Sequence, residues 1–262
     1  MYPDLSQLKE IIIQAAESEL LPRYHQVEFA CKADGSMVTE ADVAMQQYIQ
    51  DRLNAHWPQY PLLGEEMSEA EQRQQLQSAD EGLWILDPLD GTSNFAAGLP
   101  FFSVSLALLV KGQPVIGLVY DPMRRECFYA EKGKGAWLND QPLVKRSTRS
   151  NLKQCLAAVD FKRLSPALAR RLAEAPPYGS QRSLGSVALD WCWLAADRFH
   201  LYLHGKQKLW DYAAGILILD EVGGYSATLA GEPVFVADVA PRSARAALDQ
   251  TLFNQWQQWL EG

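Results

Sequence analysis

Residues Trp84–Phe95 read W-I-L-D-P-L-D-G-T-S-N-F and join an apolar run to two carboxylates. The run Leu83–Leu86 has the length and composition of a buried strand, although periodicity alone also allows a helix. Pro88 and the glycine that follows the second carboxylate are expected to stop any regular element. Asp87 and Asp90 are therefore predicted to lie on a stiff loop at a strand end, where functional residues are common.

The same motif also has an interpretation without chemistry. Asp90-Gly91 is a typical turn pair, and Asp87 suits the cap of a following helix. Taken alone, the motif D-x-x-D-G leaves both interpretations open, and the rest of the chain has to decide between them.

The composition is that of an acidic globular protein. Of 262 residues, 48% are hydrophobic and 21% are charged, and the formal net charge is −8. This balance disfavours direct contact with nucleic acid or anionic membranes and suits a protein that holds cations. No apolar stretch approaches the ~18 residues of a membrane span. The four scattered cysteines lack C-x-x-C spacing, which predicts reduced core thiols in a cytoplasmic protein.

Hydrophobic spacing and turn residues predict an α+β chain without linker or repeat. Strands are expected near 60–63, 83–86, 101–110, 115–120, 126–131, 135–138, 156–159, 182–184 and 199–203, with a polar turn at 205–208. The stretch 101–145 is expected to form an antiparallel meander. Helices are expected near 4–24, 39–56, 67–78, 166–174, 185–198 and 210–221, and the tail is expected to end in another helix.

Acidic residues recur at the predicted element boundaries. Glu65 follows a short extended piece, and Asp211 opens an apolar helix. Asp42 stands at the capping-box position after Thr39. Taken one at a time, Asp42 and Asp211 are explained by helix capping, and the Glu65-Glu66 pair by a solvated first turn.

The joint pattern favours a metal site. Carboxylates spread over several segments, without histidine or cysteine at ligand spacing, suit hard ions such as Mg²⁺. The cluster would be strongly repulsive without a cation. The backbone N–H groups of Gly91 and Thr92 lie beside it and suit an anion. Carboxylates, Mg²⁺ and an anion nest together indicate phosphoryl transfer to water.

Three motifs give the sequence its resemblance to a known family. They are G-E-E at Gly64–Glu66, the dodecapeptide Trp84–Phe95, and W-D-Y-A-A-G followed by E-V-G-G at Trp210–Gly224. A further pattern runs from Lys32 through Asp34 to the V-T-E-A-D that ends at position 42. Over roughly residues 5–240 the sequence resembles the inositol monophosphatase family, within the lithium-sensitive sugar phosphatase superfamily.

The resemblance implies an α+β fold, a layered αβαβα sandwich of the inositol monophosphatase/fructose-1,6-bisphosphatase type. It implies a single family domain over 1–262, with two lobes, roughly 1–145 and 146–262, that share the active site. It also implies a homodimer and inhibition by lithium.

The resemblance implies two or three Mg²⁺ ions and assigns their ligands by position. Metal ligands are expected at Glu65, Asp87, the backbone carbonyl of Leu89, Asp90, Asp211 and, for a weaker third ion, Asp42. Glu66 and Thr92 are expected to orient the attacking water, with Asp90 taking part in catalysis. The phosphate is expected on the amides of Gly91 and Thr92, with Ser93 beside them.

The alcohol side of the expected pocket departs from the family. Inositol phosphatases carry a glutamate seven residues before the last aspartate, and this chain has His204 there. Histidine can hydrogen-bond a hydroxyl, can carry charge that suits an acidic substrate, or can lie exposed in a loop. Lys162 and Arg163 suit either a second phosphate or solvent. Ser186 and Val187 match the segment that lines the sugar site, where Asp211 is also expected to bind substrate.

These observations leave the small phosphorylated substrate open. Inositol monophosphate is the first expectation, with fructose 1,6-bisphosphate, 3′-phosphoadenosine 5′-phosphate, histidinol phosphate and NADP as alternatives. Some bacterial relatives act as partners of the transcription machinery, which gives a protein-binding alternative. A third alternative is a cation-binding domain without turnover, but it gives no reason for Glu66 or Thr92.

Overall fold

The computed structural model describes residues 2–26, 29–31, 37–77, 81–145 and 149–262. Lys32, Asp34 and Ser78 lie outside the described residues, so the predictions made on them have no structural counterpart. The chain begins with α1 (Leu5–Ala15), which continues as a π-helical turn (Ala16–Leu20) and a 3-10 turn (Leu21–Arg23). A short antiparallel pair, β1 (Phe29–Cys31) and β2 (Met37–Thr39), leads into α2 (Glu40–His56).

A seven-stranded sheet forms the first half of the fold. Its strands lie in chain order: β3 (Leu62–Gly64), β4 (Leu83–Asp90), β5 (Ser103–Val110), β6 (Gln113–Asp121), β7 (Glu126–Glu131), β8 (Gly135–Leu138) and β9 (Gln141–Pro142). Strands β3 and β4 pair in parallel, and β4 to β9 form the predicted antiparallel meander. Helix α3 (Glu69–Gln77) lies between β3 and β4, and α4 (Thr92–Ala97) follows β4.

A five-stranded mixed sheet forms the second half. Its order is β11 (Ser180–Arg182), β10 (Leu156–Asp160), β12 (Leu201–Gln207), β14 (Arg242–Ala247) and β13 (Tyr225–Ala227). Strand β10 is parallel to both of its neighbours, β11 and β12. The helices of this half are α5 (Pro166–Glu174), α6 (Val187–Ala195), α7 (Leu209–Glu221) and α8 (Gln250–Glu261).

Three apolar clusters hold the layers together. Helices α1 and α2 pack on one face of the large sheet, where Leu8 and Met45 join Trp84. Helices α6 and α7 fill the space between the two sheets, and α5 and α8 cover the outer face of the small sheet, with Trp256 in that third cluster. Burial of this apolar surface is the main driving force for the layering. The predicted α+β layered sandwich is confirmed.

Two sequence predictions were wrong in detail. Strand β4 does not stop at Pro88 but runs to Asp90, and β12 continues through the predicted polar turn as far as Gln207. Both continuations contain a register shift, one between Asp87 and Asp90 and the other between His204 and Gln207. Bulges of this kind let a strand pass a residue that cannot pair.

Two smaller expectations can also be compared with the structure. Cys127, Cys155 and Cys192 are buried and free, as predicted for core thiols. No helix in the described ranges is long and apolar enough to span a membrane.

Candidate active site

The end of β4 places two buried carboxylates on one strand. Asp87 and Asp90 are 1% and 8% exposed. The irregular stretch between them contains Pro88, which has no N–H and cannot donate a hydrogen bond to the neighbouring strand. Because the bulge interrupts the strand pairing there, no such hydrogen bond is needed. The N–H of Leu89 donates to Asp87 Oδ1 at 3.0 Å, which turns the backbone locally and does not cap a helix.

Two serines on β5 connect these carboxylates to the second half of the fold. In the antiparallel register, Ser105 is the partner of Asp87 and Ser103 is the partner of Asp90. Ser105 Oγ donates to the carbonyl of Trp210 at 3.0 Å, immediately before Asp211. The hydroxyl oxygen of Ser103 lies 3.2 Å from that of Ser186, which precedes α6. The starts of α6 and α7 are thereby fixed beside β4.

Asp90 is held by the first turn of α6. Its Oδ2 accepts hydrogen bonds from Ser186 Oγ at 2.6 Å and from the N–H of Ala188 at 2.7 Å. Ser186 is also the N-cap of α6, since its hydroxyl accepts from the N–H of Leu189. A carboxylate at a helix N-terminus is stabilised by the orphan N–H groups and the helix dipole.

Asp211 lies in the first turn of α7 and is partly buried. Its Oδ2 accepts from the N–H of Lys208 at 2.8 Å, so Asp211 is the third residue of the helix and closes a capping box on Lys208, whereas the sequence suggested Asp211 itself as the N-cap. Asp42 likewise completes a capping box with Thr39, whose N–H and hydroxyl both donate to Asp42 Oδ2. For both residues the capping role and the place in the acidic cluster coexist.

Glu65 follows β3, and its N–H donates to the carbonyl of Leu86, next to Asp87. Two glutamine side chains hold this loop. Gln72 donates to the carbonyls of Gly64 and Glu65 at 3.0 and 3.2 Å, and Gln46 Oε1 accepts from the N–H of Glu66 at 3.2 Å. The backbone on both sides of Glu65 is therefore fixed by neutral amides, which add no charge to the acidic cluster.

Thr92 connects Asp42 to the end of β4. Its hydroxyl oxygen lies 3.2 Å from Asp42 Oδ1 and 3.0 Å from the carbonyl oxygen of Leu89. The preceding Gly91 is the N-cap of α4 and has φ of +99°. A Cβ there would lie 3.1 Å from the carbonyl oxygen of Phe101 and 3.2 Å from that of Gly185, so the close approach of these backbones favours glycine.

The carboxylates repel one another and are poorly solvated. Burial raises the pKa of Asp87 well above its usual range, and the charges of Glu65, Asp90 and Asp211 raise it further. Burial also raises the pKa of Asp211, with Asp90 and Glu65 adding to the effect. Burial raises the pKa of Asp90 to about 6, although the hydrogen bonds from Ser186 and the start of α6 oppose it. The four acidic sites therefore share one electrostatic environment.

The arrangement is not that of a ready-made metal centre. Over the part of the chain that the structure describes, no group of three or more His, Cys, Asp or Glu side chains is placed so that it could hold a metal ion. Metal binding by this cluster would thus require its side chains to reorient. The hydrogen bonds to one oxygen of Asp87, Asp90 and Asp211 would limit that movement.

The residues predicted to contact substrate fall into two groups. Ser186 adjoins the cluster through Asp90, and the N–H of Val187 also reaches that carboxylate. Ser93 is exposed on α4 without a described contact that links it to the cluster. Lys162 and Arg163 are exposed, which agrees with the solvent-facing alternative.

His204 is not the exposed loop residue that one interpretation allowed. It lies within β12, is 3% exposed, and its Nε2 lies 3.1 Å from Asp160 Oδ2. Sequence patterns did not identify Asp160, Ser103, Ser105 or the two glutamines as site residues. Asp160 had a recognisable signal, since it follows an apolar strand just as Asp87 does. The other four are neutral residues whose role depends on contacts distant in sequence.

Comparison with known proteins shows which family this chain is similar to. A model of the inositol monophosphatase family matches residues 4–259. The Nus factor SuhB of Pasteurella multocida is 37% identical over 209 residues, which cover 77% of this chain and 75% of that protein. The inositol monophosphatase 1 of Solanum lycopersicum is 39% identical over 200 residues, which cover 74% of this chain and 72% of that protein.

A solved structure shows the same architecture. A staphylococcal IMPase-II with inositol monophosphate bound superposes with a TM-score of 0.81 at 27% identity, covering 98% of this chain and 93% of that one. The family match spans nearly the whole sequence and the layered fold agrees with it, so this chain belongs to the inositol monophosphatase family.

Proposed function

We propose that this protein is a Mg²⁺-dependent phosphomonoesterase that hydrolyses a small phosphorylated alcohol, with inositol monophosphate as the first expected substrate. The observation that carries the proposal is the convergence of Glu65 after β3, Asp87 and Asp90 on β4, and Asp211 on α7 into one repulsive, largely buried cluster. Folding places these like charges close together, which is energetically unfavourable. A bound cation would neutralise them, so the cluster supports a cation-binding site.

The donor chemistry of the cluster fits Mg²⁺. All of its side-chain ligands are carboxylate oxygens, which hard divalent cations prefer over nitrogen or sulfur donors. Glu65, Asp87, Asp90, Asp211 and the carbonyl of Leu89 would hold the ions, with Asp42 beside a weaker one. When bound, Mg²⁺ supplies charge neutralisation and Lewis-acid polarisation for transfer of the phosphoryl group to water.

The chain's own residues would position the reactants. Thr92 is fixed between Asp42 and the carbonyl of Leu89, so its hydroxyl oxygen is available to orient a water molecule. Glu66 is the second proposed residue for this role. The N–H groups of Gly91 and Thr92 would hold phosphate oxygens. Such an arrangement supplies mainly orientation and electrostatic complementarity, which is what phosphoryl transfer requires.

Phosphate release from a substrate panel tests the proposal. The panel contains inositol 1-phosphate, fructose 1,6-bisphosphate, 3′-phosphoadenosine 5′-phosphate, histidinol phosphate and NADP, each with Mg²⁺ and with EDTA. We expect EDTA-sensitive release with inositol 1-phosphate as the preferred substrate. A preference for another member of the panel would change the substrate but keep the reaction, whereas no release from any of them would contradict the proposal.

A second candidate function is binding to the transcription machinery. It is supported by the name of one relative, the Nus factor SuhB of Pasteurella multocida. The net charge of −8 disfavours direct RNA contact, so the partner would be a protein. Pull-down of RNA polymerase components by wild type and by Asp90→Asn separates the two functions. Equal capture by both proteins would support the partner role, and loss of phosphate release only in the variant would support the enzyme.

Homodimerisation, inhibition by lithium and a cytoplasmic location stay predictions of the family resemblance. Of these, lithium bears most directly on the site, because it would act at a metal position. Complete indifference of phosphate release to lithium would weaken the assignment of the metal ligands.

A further inference from the structure

Asp160 and His204 form a pair at the point where the parallel pairing of β10 with β12 ends. Asp160 is the last residue of β10, and His204 is its register partner on β12. The carboxyl ends of neighbouring parallel strands are a frequent place for ligand contacts, because side chains there face an open crevice. Neither residue belongs to the proposed metal cluster.

The histidine is fully engaged by its surroundings. Its Nδ1 accepts from the N–H of Lys206 at 3.2 Å, and its Nε2 lies 3.1 Å from Asp160 Oδ2. With one nitrogen accepting, the other carries the proton and donates to the carboxylate, which is the neutral tautomer inferred from this geometry. The ring of Tyr202 is nearly parallel to the imidazole, at 14°. His204 is therefore an orienting residue, with no hydrogen-bonding atom left for a ligand.

The aspartate, in contrast, retains capacity to bind. Its side chain is 28% exposed, whereas that of His204 is 4% exposed. Oδ1 accepts from the N–H of Lys162 at 2.9 Å, and Oδ2 accepts from His204. An ionised carboxylate has about four acceptor sites, so roughly two remain for a hydroxyl donor.

The backbone around Asp160 is tightly held. The chain after Asp160 forms a short 3-10 turn over Phe161–Arg163. Gly205, the residue after His204, packs against this turn, since a Cβ there would lie 1.8 Å from the carbonyl oxygen of Arg163. A carboxylate fixed from both strands loses little side-chain entropy when it binds a ligand.

Strand β12 leads from the pair to the acidic cluster: it ends at Gln207, and the N–H of the next residue, Lys208, donates to Asp211 Oδ2 at 2.8 Å. Asp190, in the first turn of α6, lies within the electrostatic influence of both Asp90 and Asp160, and burial together with these two charges raises its pKa. Asp90 is itself hydrogen-bonded to the start of α6. The first turn of α6 is thus the shared neighbour of the cluster and of the pair.

We propose that Asp160, oriented by His204, accepts a hydrogen bond from a hydroxyl of the leaving alcohol and selects uncharged polyol phosphates over substrates with a second phosphate. This inference rests on the proposed phosphatase function and names the substrate class of the same site. A negative carboxylate attracts a hydroxyl donor and repels a phosphate, so one group supplies both the contact and the discrimination.

Two substrates that differ in hydroxyl groups test the inference. Inositol 1-phosphate offers ring hydroxyls to Asp160, whereas p-nitrophenyl phosphate has none. For Asp160→Asn we expect kcat/KM to fall about 10- to 100-fold with inositol 1-phosphate, as for the loss of a hydrogen bond to a charged group. With p-nitrophenyl phosphate, kcat/KM should stay within about twofold of wild type. The preference for fructose 1,6-bisphosphate relative to inositol 1-phosphate should rise.

A matched control and a positioning variant complete the test. Asp249→Asn changes an aspartate that also accepts two hydrogen bonds, both from backbone N–H groups, but at the start of α8 on the outer layer, and it should leave kcat/KM for both substrates unchanged. His204→Leu should lower kcat/KM for inositol 1-phosphate only, as Asp160→Asn does. His204→Gln keeps an N–H donor and should restore part of that loss, an effect that a merely structural role would not produce.

The outcomes separate the two proposals. An equal fall on both substrates, or no fall with inositol 1-phosphate, would overturn the role of Asp160 while the phosphatase function stands. Hydrolysis of p-nitrophenyl phosphate but of no polyol phosphate by wild type would do the same. If wild type hydrolyses neither substrate, the proposed function itself fails, and the inference fails with it.

Discussion

Asp87 shows how a single residue couples stability to metal binding. It is 1% exposed and lies within the electrostatic influence of Glu65, Asp90 and Asp211, so its ionised form is disfavoured in the metal-free protein. Asn has nearly the same shape and no charge. We therefore expect Asp87→Asn to stabilise the metal-free protein by about 1–2 kcal/mol at pH 7. In Mg²⁺ the variant should lose phosphate release by at least ~10²-fold, because a metal ligand contributes several kcal/mol.

Thermal unfolding with EDTA and with Mg²⁺ measures both parts of this prediction. Because the pKa of Asp87 is raised in the folded state, metal-free wild type loses stability as the pH rises above about 4, the unfolded value. The stability difference in favour of Asp87→Asn should therefore grow as the pH rises in EDTA, and it should disappear in Mg²⁺. A variant that is less stable than wild type in EDTA would contradict the picture of a repulsive cluster.

The Asp160–His204 pair predicts the opposite pH dependence. Burial raises the pKa of Asp160, but the hydrogen bonds from His204 and from the N–H of Lys162, together with the charge of Arg163, outweigh it, and the pKa ends below its ordinary value. A lowered folded-state pKa contributes stability above the unfolded value, which is lost as the pH falls through the folded value. Asp160→Asn should therefore cost about 1–2 kcal/mol at pH 7. Urea unfolding should show this difference shrinking below pH ~4. An equal difference at pH 7 and pH 3 would argue against these hydrogen bonds to the ionised carboxylate.

At the scale of single elements, the loop between β4 and α4 depends on one glycine. Gly91 combines a positive φ with two backbone carbonyls within 3.2 Å of any Cβ. Gly112, at the β5–β6 turn, also has a positive φ, but nothing lies within 4 Å of its Cβ position. Gly112→Ala should cost ~1 kcal/mol and leave turnover unchanged, since only the backbone conformation is strained.

Gly91→Ala should cost ~2–4 kcal/mol, because steric overlap adds to the conformational cost. It should also lower kcat, since the N–H groups proposed to hold phosphate shift with the loop. Chemical unfolding and kcat measured on both alanine variants check the prediction. If the two glycines prove equally tolerant, the close approach of the backbones at Gly91 is not a functional constraint.

The elements also show what the sequence could predict. The helix over 166–174 and the meander after 101 followed from hydrophobic spacing and turn residues, which act locally. The path of β4 past Pro88 did not. The partner strand β3 ends its pairing at Leu86, so at Pro88 only β5 remains, and the bulge there removes the need for a donor. That outcome depends on neighbours in the sheet, which local sequence does not specify.

The site was predictable to a similar extent. Glu65, Asp87, Asp90 and Asp211 stood out because each combined an acidic side chain with an element boundary. Ser103 and Ser105 connect the same cluster to α6 and α7, but they look like ordinary polar residues of a strand. Their role arises only when the two halves of the fold meet. Asp160 could have been found from its place at a strand end, whereas the orientation of His204 toward it could not.

At the scale of the whole molecule, α7 is the layer on which both sheets depend. It runs between them and begins at the site with Asp211 in its first turn. Gly117 on β6 allows its close packing, since a Cβ there would lie 2.7 Å from the carbonyl oxygen of Ala214. We expect Gly117→Ala to cost ~1–3 kcal/mol through overpacking and to lower turnover by displacing α7. Urea unfolding and kcat measure the two effects. Full turnover with reduced stability would show that the site tolerates movement of this helix.

The central claim is that folding assembles a carboxylate cluster for Mg²⁺-dependent hydrolysis of a small phosphate ester. The most direct measurement is phosphate release from inositol 1-phosphate by wild type, Asp87→Asn and Asp211→Asn, across a Mg²⁺ titration. The account predicts EDTA-sensitive release by wild type and a loss of at least ~10²-fold in both variants, with their folds intact by circular dichroism. Near-normal release by both variants, or release by wild type that does not depend on Mg²⁺, would contradict it.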